Sequence, residues 1–279
     1  MTTPSPDERT IPELIAAALA GDEDDQGSWD AIRVLQVRGE APVFDAATDL
    51  LNSPSENRRS RGVDILAQLG TPEPSAELRA RCAGAILGLL VGEKSPEVLH
   101  SIGVALSHLK DPRAVSALLP FKDHADSGVR YGVVLGLSPH SEPSAIEGLI
   151  QLSNDPDDDV RNWATFGLGS MTSVDTPAVR QALVARLGDS DDEIRGEALE
   201  GLAQRKDQRV LEPLRRELAG KRVGVLAVTA AASLGDSSLL PLLLALRLGA
   251  EHKNAGEYFN SVLNEVIAAL ENVRDSLPG

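Results

Sequence analysis

A short sequence pattern recurs along this chain at a nearly constant spacing, and this repetition restricts the fold more than any other feature. The clearest copy runs from Asp157 to Gly169 and reads DDDVRNWATFGLG. Related copies begin at Asp126 and Asp191. Each copy has an acidic residue, then Val-Arg or Ile-Arg, then a Gly-Leu step six and seven residues after the Arg. Such self-similarity predicts a repeat architecture in which each unit is one supersecondary element.

Each copy is numbered from the position equivalent to Arg161, here called the index position. The index positions follow at intervals of 31, 40, 31, 31, 34 and 32 residues. They are Ser28, Arg59, Leu99, Arg130, Arg161, Arg195 and Ala227. Each repeat is predicted to hold a first helix, which carries the index position, and a second helix, with turns rich in Pro and Gly. The long interval predicts an enlarged second helix over about residues 75–90.

The apolar and small residues of the pattern predict how the repeats pack. A single helical pair cannot bury its own apolar face, whereas a stack of pairs buries a continuous core. The small residue before the Leu allows neighbouring helices to approach closely. The chain is 42% hydrophobic and only 3% aromatic, so this core is aliphatic. That composition favours helices, and no strand-type alternation is long enough to predict a sheet.

Acidic and Arg residues four positions apart open three consecutive repeats. The pairs are Asp126 and Arg130, Asp157 and Arg161, and Asp191 and Arg195. We expect the acids to cap helix N-termini and to pair with the Arg one turn later. Alternatively, the Arg reaches an acid of the neighbouring repeat. Either arrangement makes these six residues a structural ladder, and we interpret them as structural rather than ligand-binding.

The pattern Asp-x-x-Val-Arg-x-x-Ala-x-x-Gly-Leu-Gly at this spacing resembles that of the HEAT-repeat superfamily, in the short bacterial form related to phycobilisome-lyase HEAT-like repeats. The resemblance covers about residues 28–248 and is best over 126–205. It implies an all-α, right-handed α-solenoid of about seven helical-hairpin repeats with terminal capping helices and a concave face lined by the second helices. It does not imply one activity, since such arrays serve as scaffolds, adaptors, chromophore lyases, immunity proteins, DNA glycosylases and metal hydroxylases.

The flanking segments complete the predicted organisation. Residues 1–9 contain two prolines and no apolar period, which predicts a flexible N-terminus. Thr10 and Glu13 form a capping-box pattern that opens a helix. A last helix within about residues 256–275 is expected to cap the array. We therefore predict one solenoid domain over residues 10–279.

Patterns typical of catalytic and metal sites are incomplete in this sequence. Asp155, Asp157 and Asp159 occupy positions 1, 3 and 5 of a calcium loop, but the required Gly and Glu at positions 6 and 12 are absent. The five His residues lack partners at a recognised ligand spacing. The single Cys82 has apolar neighbours and is expected to be a core residue. We predict no metal, no cofactor and no enzymatic activity.

The charge balance indicates the class of partner. The formal net charge is −15. An acidic surface repels phosphate, so no nucleic-acid partner is expected, and it attracts basic proteins and speeds association with them. The sequence shows neither a signal-peptide pattern nor an apolar run of membrane-spanning length. We therefore expect a cytoplasmic protein, monomeric when free, with no membrane partner.

Two aromatic residues stand outside the packing pattern. Trp163 lies two residues after its index position, where other repeats have Gly, Glu or Thr, and is therefore expected to face solvent. Tyr131 lies one residue after its index position and is expected to be similarly exposed. Trp, Tyr and Arg dominate binding hot spots. We predict a partner-binding patch that contains Tyr131, Trp163, Asp159 and Glu197.

Together these observations predict a non-enzymatic scaffold or adaptor that binds another protein with a basic surface. One specific form is an immunity-type protein that sequesters a basic toxin. The alternative is a lyase or chromophore-handling protein of the phycobilisome HEAT type, which requires a deep pocket with a His or Cys. A structural subunit of a larger assembly is a third interpretation.

Overall fold

The computed structural model describes most of the chain, namely residues 7–21, 25–39, 41–249 and 256–275. These residues form sixteen α-helices joined by turns and short 3-10 or π-helical segments, with no β-strand among them. The predicted all-α solenoid class is therefore confirmed. The chain divides into two compact units, one ending at His140 and the other beginning at Ser141.

Two parts of the predicted domain organisation have different outcomes. The single domain over residues 10–279 stays a prediction. Residues 1–6 of the predicted flexible N-terminus lie outside the described residues. The predicted capping box is confirmed, because the Thr10 side chain accepts from the Glu13 backbone N–H and the Glu13 carboxylate accepts from the Thr10 backbone N–H.

Each unit consists of four consecutive helix pairs, in which an odd-numbered helix packs on the next even-numbered one. The first unit contains α1 (Ile11–Ala18), α2 (Gln26–Arg38), α3 (Ala41–Leu51), α4 (Glu56–Ala67), α5 (Ala76–Leu90), α6 (Pro96–Leu109), α7 (Arg113–Leu118) and α8 (Ser127–Leu137). The second unit contains α9 (Pro143–Leu152), α10 (Asp158–Phe166), α11 (Pro177–Arg186), α12 (Asp192–Gln204), α13 (Leu211–Leu218), α14 (Val225–Leu234), α15 (Leu240–Leu248) and α16 (Glu257–Asp275).

All seven predicted index positions lie in the first turn of an even-numbered helix, from α2 to α14. Within each unit these helices form one layer, here called the index layer, and the odd-numbered helices form a second layer. Neighbouring helices contact each other more extensively in the index layer. The expectation that the second helices line a concave face stays a prediction.

Close approach of the index helices depends on their glycines. A Cβ atom at Gly103 of α6 would lie 2.2 Å from the backbone oxygen of Gly132 on α8, and one at Gly136 would lie 3.2 Å from the Gly103 oxygen. In the second unit, a Cβ atom at Gly201 of α12 would lie 2.6 Å from the Cα atom of Gly169. Gly136 and Gly201 are the small residues of the Gly-Leu step, so their predicted packing role is confirmed.

The acidic residues that begin each copy of the pattern cap helices, as predicted. Asp126, Asp157 and Asp191 each accept a hydrogen bond from the backbone N–H three residues later, at 3.1, 3.2 and 3.1 Å. This bond satisfies one of the N–H groups left free at a helix N-terminus. The caps explain why the helices begin where the sequence pattern predicts them.

Arg161 connects two repeats instead of pairing with the acid four residues before it. Its guanidinium contacts Asp158 on the same helix at 2.5 Å and Asp189 of the next repeat at 2.9 Å. Asp157 remains engaged at the helix N-terminus, so the predicted pairing four residues apart is wrong here. Burial tends to raise the pKa of Asp189, but the hydrogen bond from Arg161 and its other contacts outweigh this and hold that pKa below its ordinary value.

The same arrangement recurs at other index positions. Arg195 contacts Asp192 at 2.8 Å and Glu217 of the next repeat at 3.3 Å, again in place of the predicted pair with Asp191. Arg59 contacts Glu93, 34 positions further along the chain, at 2.7 Å. Each index Arg also donates from Nη1 to the carbonyl oxygen six residues before it, and this holds for Arg59, Arg130, Arg161 and Arg195. The index Arg therefore forms a hydrogen bond with the preceding turn. Where the following repeat supplies an acidic residue, the Arg also forms an ion pair with that repeat.

The core is aliphatic, as the composition predicts. Cys82 belongs to it, with 1% of its surface exposed, and burial raises the pKa of its thiol to about 11. The enlarged second helix predicted over residues 75–90 is α5. Within the described ranges, no helix combines the length and the apolarity needed to cross a bilayer.

Replacing Gly103 with Ala should lower the free energy of unfolding by about 3 kcal/mol, because the new Cβ overlaps the Gly132 carbonyl and must separate α6 from α8. Urea unfolding measures this change. Gly88→Ala on α5 is the matched control, since an added Cβ there meets no heavy atom within 4 Å. The control should be neutral or stabilising by about 0.5–1 kcal/mol. Equal losses for both variants would contradict the close approach.

Replacing Arg161 with Met should lower the free energy of unfolding at pH 7 by about 2 kcal/mol, because the Asp189 side chain, which is 7% exposed, loses its nearer cation and keeps only Arg186 at 3.4 Å. A lowered carboxylate pKa stabilises the folded protein above the unfolded-state pKa of about 4 and no longer does so once pH falls through the folded-state value. The difference between variant and wild type should therefore shrink at pH 3.

Arg33→Met is the control, because Arg33 pairs with Asp30 while more than half of each side chain is exposed. Solvent screens such pairs, so this variant should change stability much less than Arg161→Met. A stability difference for Arg161→Met that is the same at pH 3 and pH 7 would show that the ion pair with Asp189 is not its cause.

Candidate protein-binding surface

Equivalent positions of consecutive repeats lie beside each other on α10 and α12, which pack together. Asn162 Nδ2 donates to Glu193 Oε2 between these helices at 3.2 Å. Asp159 and Glu193 both lie two residues before their index positions, and Trp163 and Glu197 both lie two residues after theirs. The common register therefore sets an acidic and aromatic row of α10 beside an acidic row of α12.

These two rows form a surface of the second unit that we call the acidic-aromatic face. Its residues are Asp159, Trp163 and Phe166 on α10 and Glu193, Glu197 and Glu200 on α12. Three of the four residues predicted to bind a partner lie on it. The fourth, Tyr131, belongs to α8 of the first unit.

Trp163 is the exposed aromatic residue of this face. It is 37% exposed, which confirms that it lies outside the core. Its ring meets that of Phe166 edge to face, with centroids 5.6 Å apart and an interplanar angle of 86°. This geometry is favourable for aromatic pairs. The contact restrains the indole while leaving part of its surface accessible to a partner.

A buried Arg holds the backbone that follows α10. Residues Gly167–Met171 form a π-helical turn, a conformation often found at functional sites. The Arg205 side chain is 7% exposed and burial lowers its pKa. Its guanidinium donates at 2.8–3.0 Å to carbonyl oxygens in and after this turn, those of Leu168, Gly169, Thr172 and Val174. These carbonyls replace water around the charge, and their hydrogen bonds with Arg205 hold the turn in place.

The π-helical turn presents Ser170 to Glu197. Ser170 Oγ donates to Glu197 Oε2 at 3.2 Å. Burial is the main factor that raises the pKa of Glu197, and the nearby carboxylates of Glu200 and Glu193 raise it further. A carboxylate in this setting is stabilised in its charged form by an added cation. A basic partner that contacts Glu197 therefore stabilises the charged form of this side chain.

Glu200 lies one turn beyond Glu197 and is 8% exposed. Its Oε1 accepts from Ser233 Oγ of α14 at 2.7 Å and from Gln204 Nε2 at 3.0 Å. Its Oε2 is buried and has no hydrogen-bond donor among the described residues. An unsatisfied buried acceptor of this kind costs stability.

The acids of the face lack basic partners. Among the ion pairs of the described residues, none involves Asp159, Glu193, Glu197 or Glu200. Asp192, next to Glu193 in sequence, pairs with Arg195 at 2.8 Å. Asp192 is thus neutralised within the protein, whereas the negative charge of the face is left for an external cation.

A cleft of about 500 Å³, here called the α12–α14 cleft, adjoins the face. Its walls include apolar Val223, Val225 and Leu226, and Glu193 and Glu197 line its acidic side. Elongated ligands with an apolar body and a cationic end match this combination of surfaces.

Tyr131 is half-buried rather than exposed as expected. Its ring stacks on His100 with centroids 5.7 Å apart and an interplanar angle of 18°. His100 Nδ1 donates to the Gly128 carbonyl at 2.8 Å. The role of Tyr131 in partner binding stays a prediction.

Sequence reasoning missed several residues of the site. Glu193, Glu197 and Glu200 recur at helical spacing along α12, and this periodicity was the available signal for Glu193 and Glu200. Phe166 carried a weaker signal, three residues after Trp163. No local pattern marks Arg205, because its partners are backbone carbonyls more than 30 residues away in the chain.

Solved structures of helical-repeat proteins share this fold. Kap95p, whose structure was solved in connection with RanGDP, gives a TM-score of 0.65 at 15% identity over 95% of this chain and 41% of that chain. The Cnd3-Cnd2 condensin subcomplex of S. pombe gives 0.59 at 18% identity over 96% of this chain and 39% of that chain. These low identities show the fold alone.

A bacterial relative is more similar in sequence. Protein YibA of Escherichia coli K12 is 42% identical over 82 residues, which are 29% of this chain and 29% of YibA. The X-ray structure of YibA gives a TM-score of 0.72 at 27% identity, over 94% of this chain and 93% of that chain. The family model for HEAT repeats matches residues 85–169 and 146–235, which together exceed half of the chain. The chain therefore belongs to the HEAT-repeat family.

Proposed function

We propose that this protein is a non-enzymatic interaction module that binds a basic surface of another protein through the acidic-aromatic face. The observation that carries the proposal is the set of carboxylates without basic partners around the exposed Trp163. Three other carboxylates of the same unit, those of Asp189, Asp207 and Glu217, are paired with Arg residues. A basic partner supplies the missing cations, and the indole supplies contact area of the kind that dominates hot spots.

The fold supports the same function by analogy. Kap95p acts through binding to RanGDP, and the condensin Cnd2 and Cnd3 subunits form a complex. Extended helical-repeat arrays provide broad surfaces for such contacts. The analogy concerns fold alone, so the partner is defined by the chemistry of the face. The specific form we propose is an immunity-type role, in which the bound basic protein is a toxin held inactive.

Catalysis by a lyase-type mechanism is the alternative inferred from the sequence. A covalent lyase step requires a nucleophile that a substrate can reach. Cys82 is 1% exposed and its thiol pKa is raised to about 11, so this thiol is neither accessible nor ionised near neutral pH. The carboxylates of the acidic-aromatic face, which form no ion pair with a base among the described residues, support binding better than this chemistry.

Replacing Trp163 with Ala should weaken capture of the partner about 30-fold, because a central aromatic contact typically contributes about 2 kcal/mol. The tagged full chain is used to capture proteins from its host lysate at low salt, and the proteins lost with Trp163→Ala are identified. Their affinities are then measured with purified components. Binding should weaken as ionic strength rises, because salt screens exposed charges.

Tyr258→Ala is the matched control, since Tyr258 is a 72% exposed aromatic residue on α16 of the same unit. This variant should capture the partner as well as the wild type does. Recovery of acidic proteins only, or equal losses with both variants, would contradict the proposal. If the captured protein is a toxin, adding the wild-type chain should inhibit it and adding Trp163→Ala should not.

A further inference from the structure

We propose that the α12–α14 cleft is an anchor pocket for one long basic side chain, a lysine or arginine, of the protein partner. The methylene stem of this basic side chain lies against Val225 and Leu226, and the charged head of the side chain lies between Glu193 and Glu197. The inference rests on the proposed function for the nature of the partner, but the pocket is testable with small molecules alone.

The apolar wall of the cleft matches a methylene stem. Val225 and Leu226 begin α14 and are only half-buried, so their side chains leave apolar surface in the cleft. Gly196 on α12 faces this wall, and a Cβ atom there would lie 2.8 Å from Leu226 Cδ1. The absence of a side chain at Gly196 keeps the two helices close. Lysine and arginine commonly bury their stems on such surfaces while the head stays polar.

The charges of the cleft select a cation. Four carboxylates line it, but Asp192 and Glu217 are already paired with Arg195. Glu193 and Glu197 have no basic partner among the described ion pairs, and Arg222 is the single base in the lining. The two unpaired acids lie four residues apart on one helix face, close enough for one guanidinium or ammonium group to contact both.

Glu200 belongs to the acidic-aromatic face and does not line the cleft. Glu200, one turn further along α12, is more than nine-tenths buried, and its Oε2 has no donor among the described residues. Its charge acts on Glu197, whose own pKa is raised by burial. A cation on Glu197 relieves this repulsion and replaces the water that the carboxylate has lost. The pocket is thus prepared for a donor that carries positive charge.

Methyl NMR of the full chain provides the test, with n-butylguanidinium and n-butylammonium as side-chain probes and n-butylurea as a neutral probe of similar shape. Both cations should shift the methyl signals of Val225 and Leu226 in a saturable way. The affinity of butylurea should be lower than that of the cations by roughly tenfold or more. The tighter cation identifies arginine or lysine as the preferred side chain. Equal binding of the neutral probe, or no saturable shift at these methyls, would overturn the proposal.

Glu197→Gln should weaken cation binding roughly tenfold while keeping the shape of the side chain. Glu193→Gln is a second variant with the same expected direction. Glu147→Gln is the control, because Glu147 is exposed on α9 in the second layer. This substitution changes the net charge by the same amount as Glu197→Gln. The affinity of this variant for the probes should equal that of the wild type. A loss in the control as large as in Glu197→Gln would mean that net charge, not the cleft, attracts the cation.

The Trp163→Ala variant separates this inference from the proposed function. It should bind n-butylguanidinium normally, because Trp163 does not line the cleft, and it should lose the protein partner. Normal probe binding with undiminished partner capture would refute the proposed function and leave the pocket intact. Partner capture that depends on Trp163 but is unaffected by Glu197→Gln would refute the pocket as the anchor and leave the proposed function intact.

Discussion

Close contact between index helices is the constraint on which the rest of this structure depends. Gly103 and Gly132 bring α6 against α8 in the first unit, and Gly169 and Gly201 bring the end of the α10 segment against α12 in the second. A helix pair cannot bury its own apolar face, so each pair needs the next one. Contact at backbone distance also fixes the register, and therefore aligns equivalent residues of consecutive repeats.

That alignment divides the acids of the chain into two classes with different physical roles. Acids at the turns, such as Asp189, meet the index Arg of a neighbouring repeat and are neutralised within the protein. Acids on the polar ridge of α12, such as Glu193 and Glu197, face solvent or a cleft and form no ion pair with a base in the part of the chain that the structure describes. The first class stabilises the stack. The second class leaves a localised negative surface, which carries the functional proposal.

The binding surface depends on the stack for its rigidity. Arg205 reaches from the end of α12 to the π-helical turn after α10, and this turn supplies the Ser170 hydroxyl to Glu197. Phe166 restrains Trp163 from the same side. A partner that meets an indole and a carboxylate held in this way orders few side chains on binding, which reduces the entropy cost.

The sequence by itself determined the repeat class, the index helices, their acidic caps and the exposure of Trp163, because each follows from local spacing and helix chemistry. Tertiary structure decided the partners of Arg161 and the half-burial of Tyr131. These depend on contacts between repeats, where an acid 28 residues away competes with one four residues away for the same guanidinium. Likewise, only the packing of α10, α12 and α14 distinguishes the buried Glu200, whose Oε2 has no donor among the described residues, from any other acid on a helix. Burial belongs to the assembled stack and not to the helix alone.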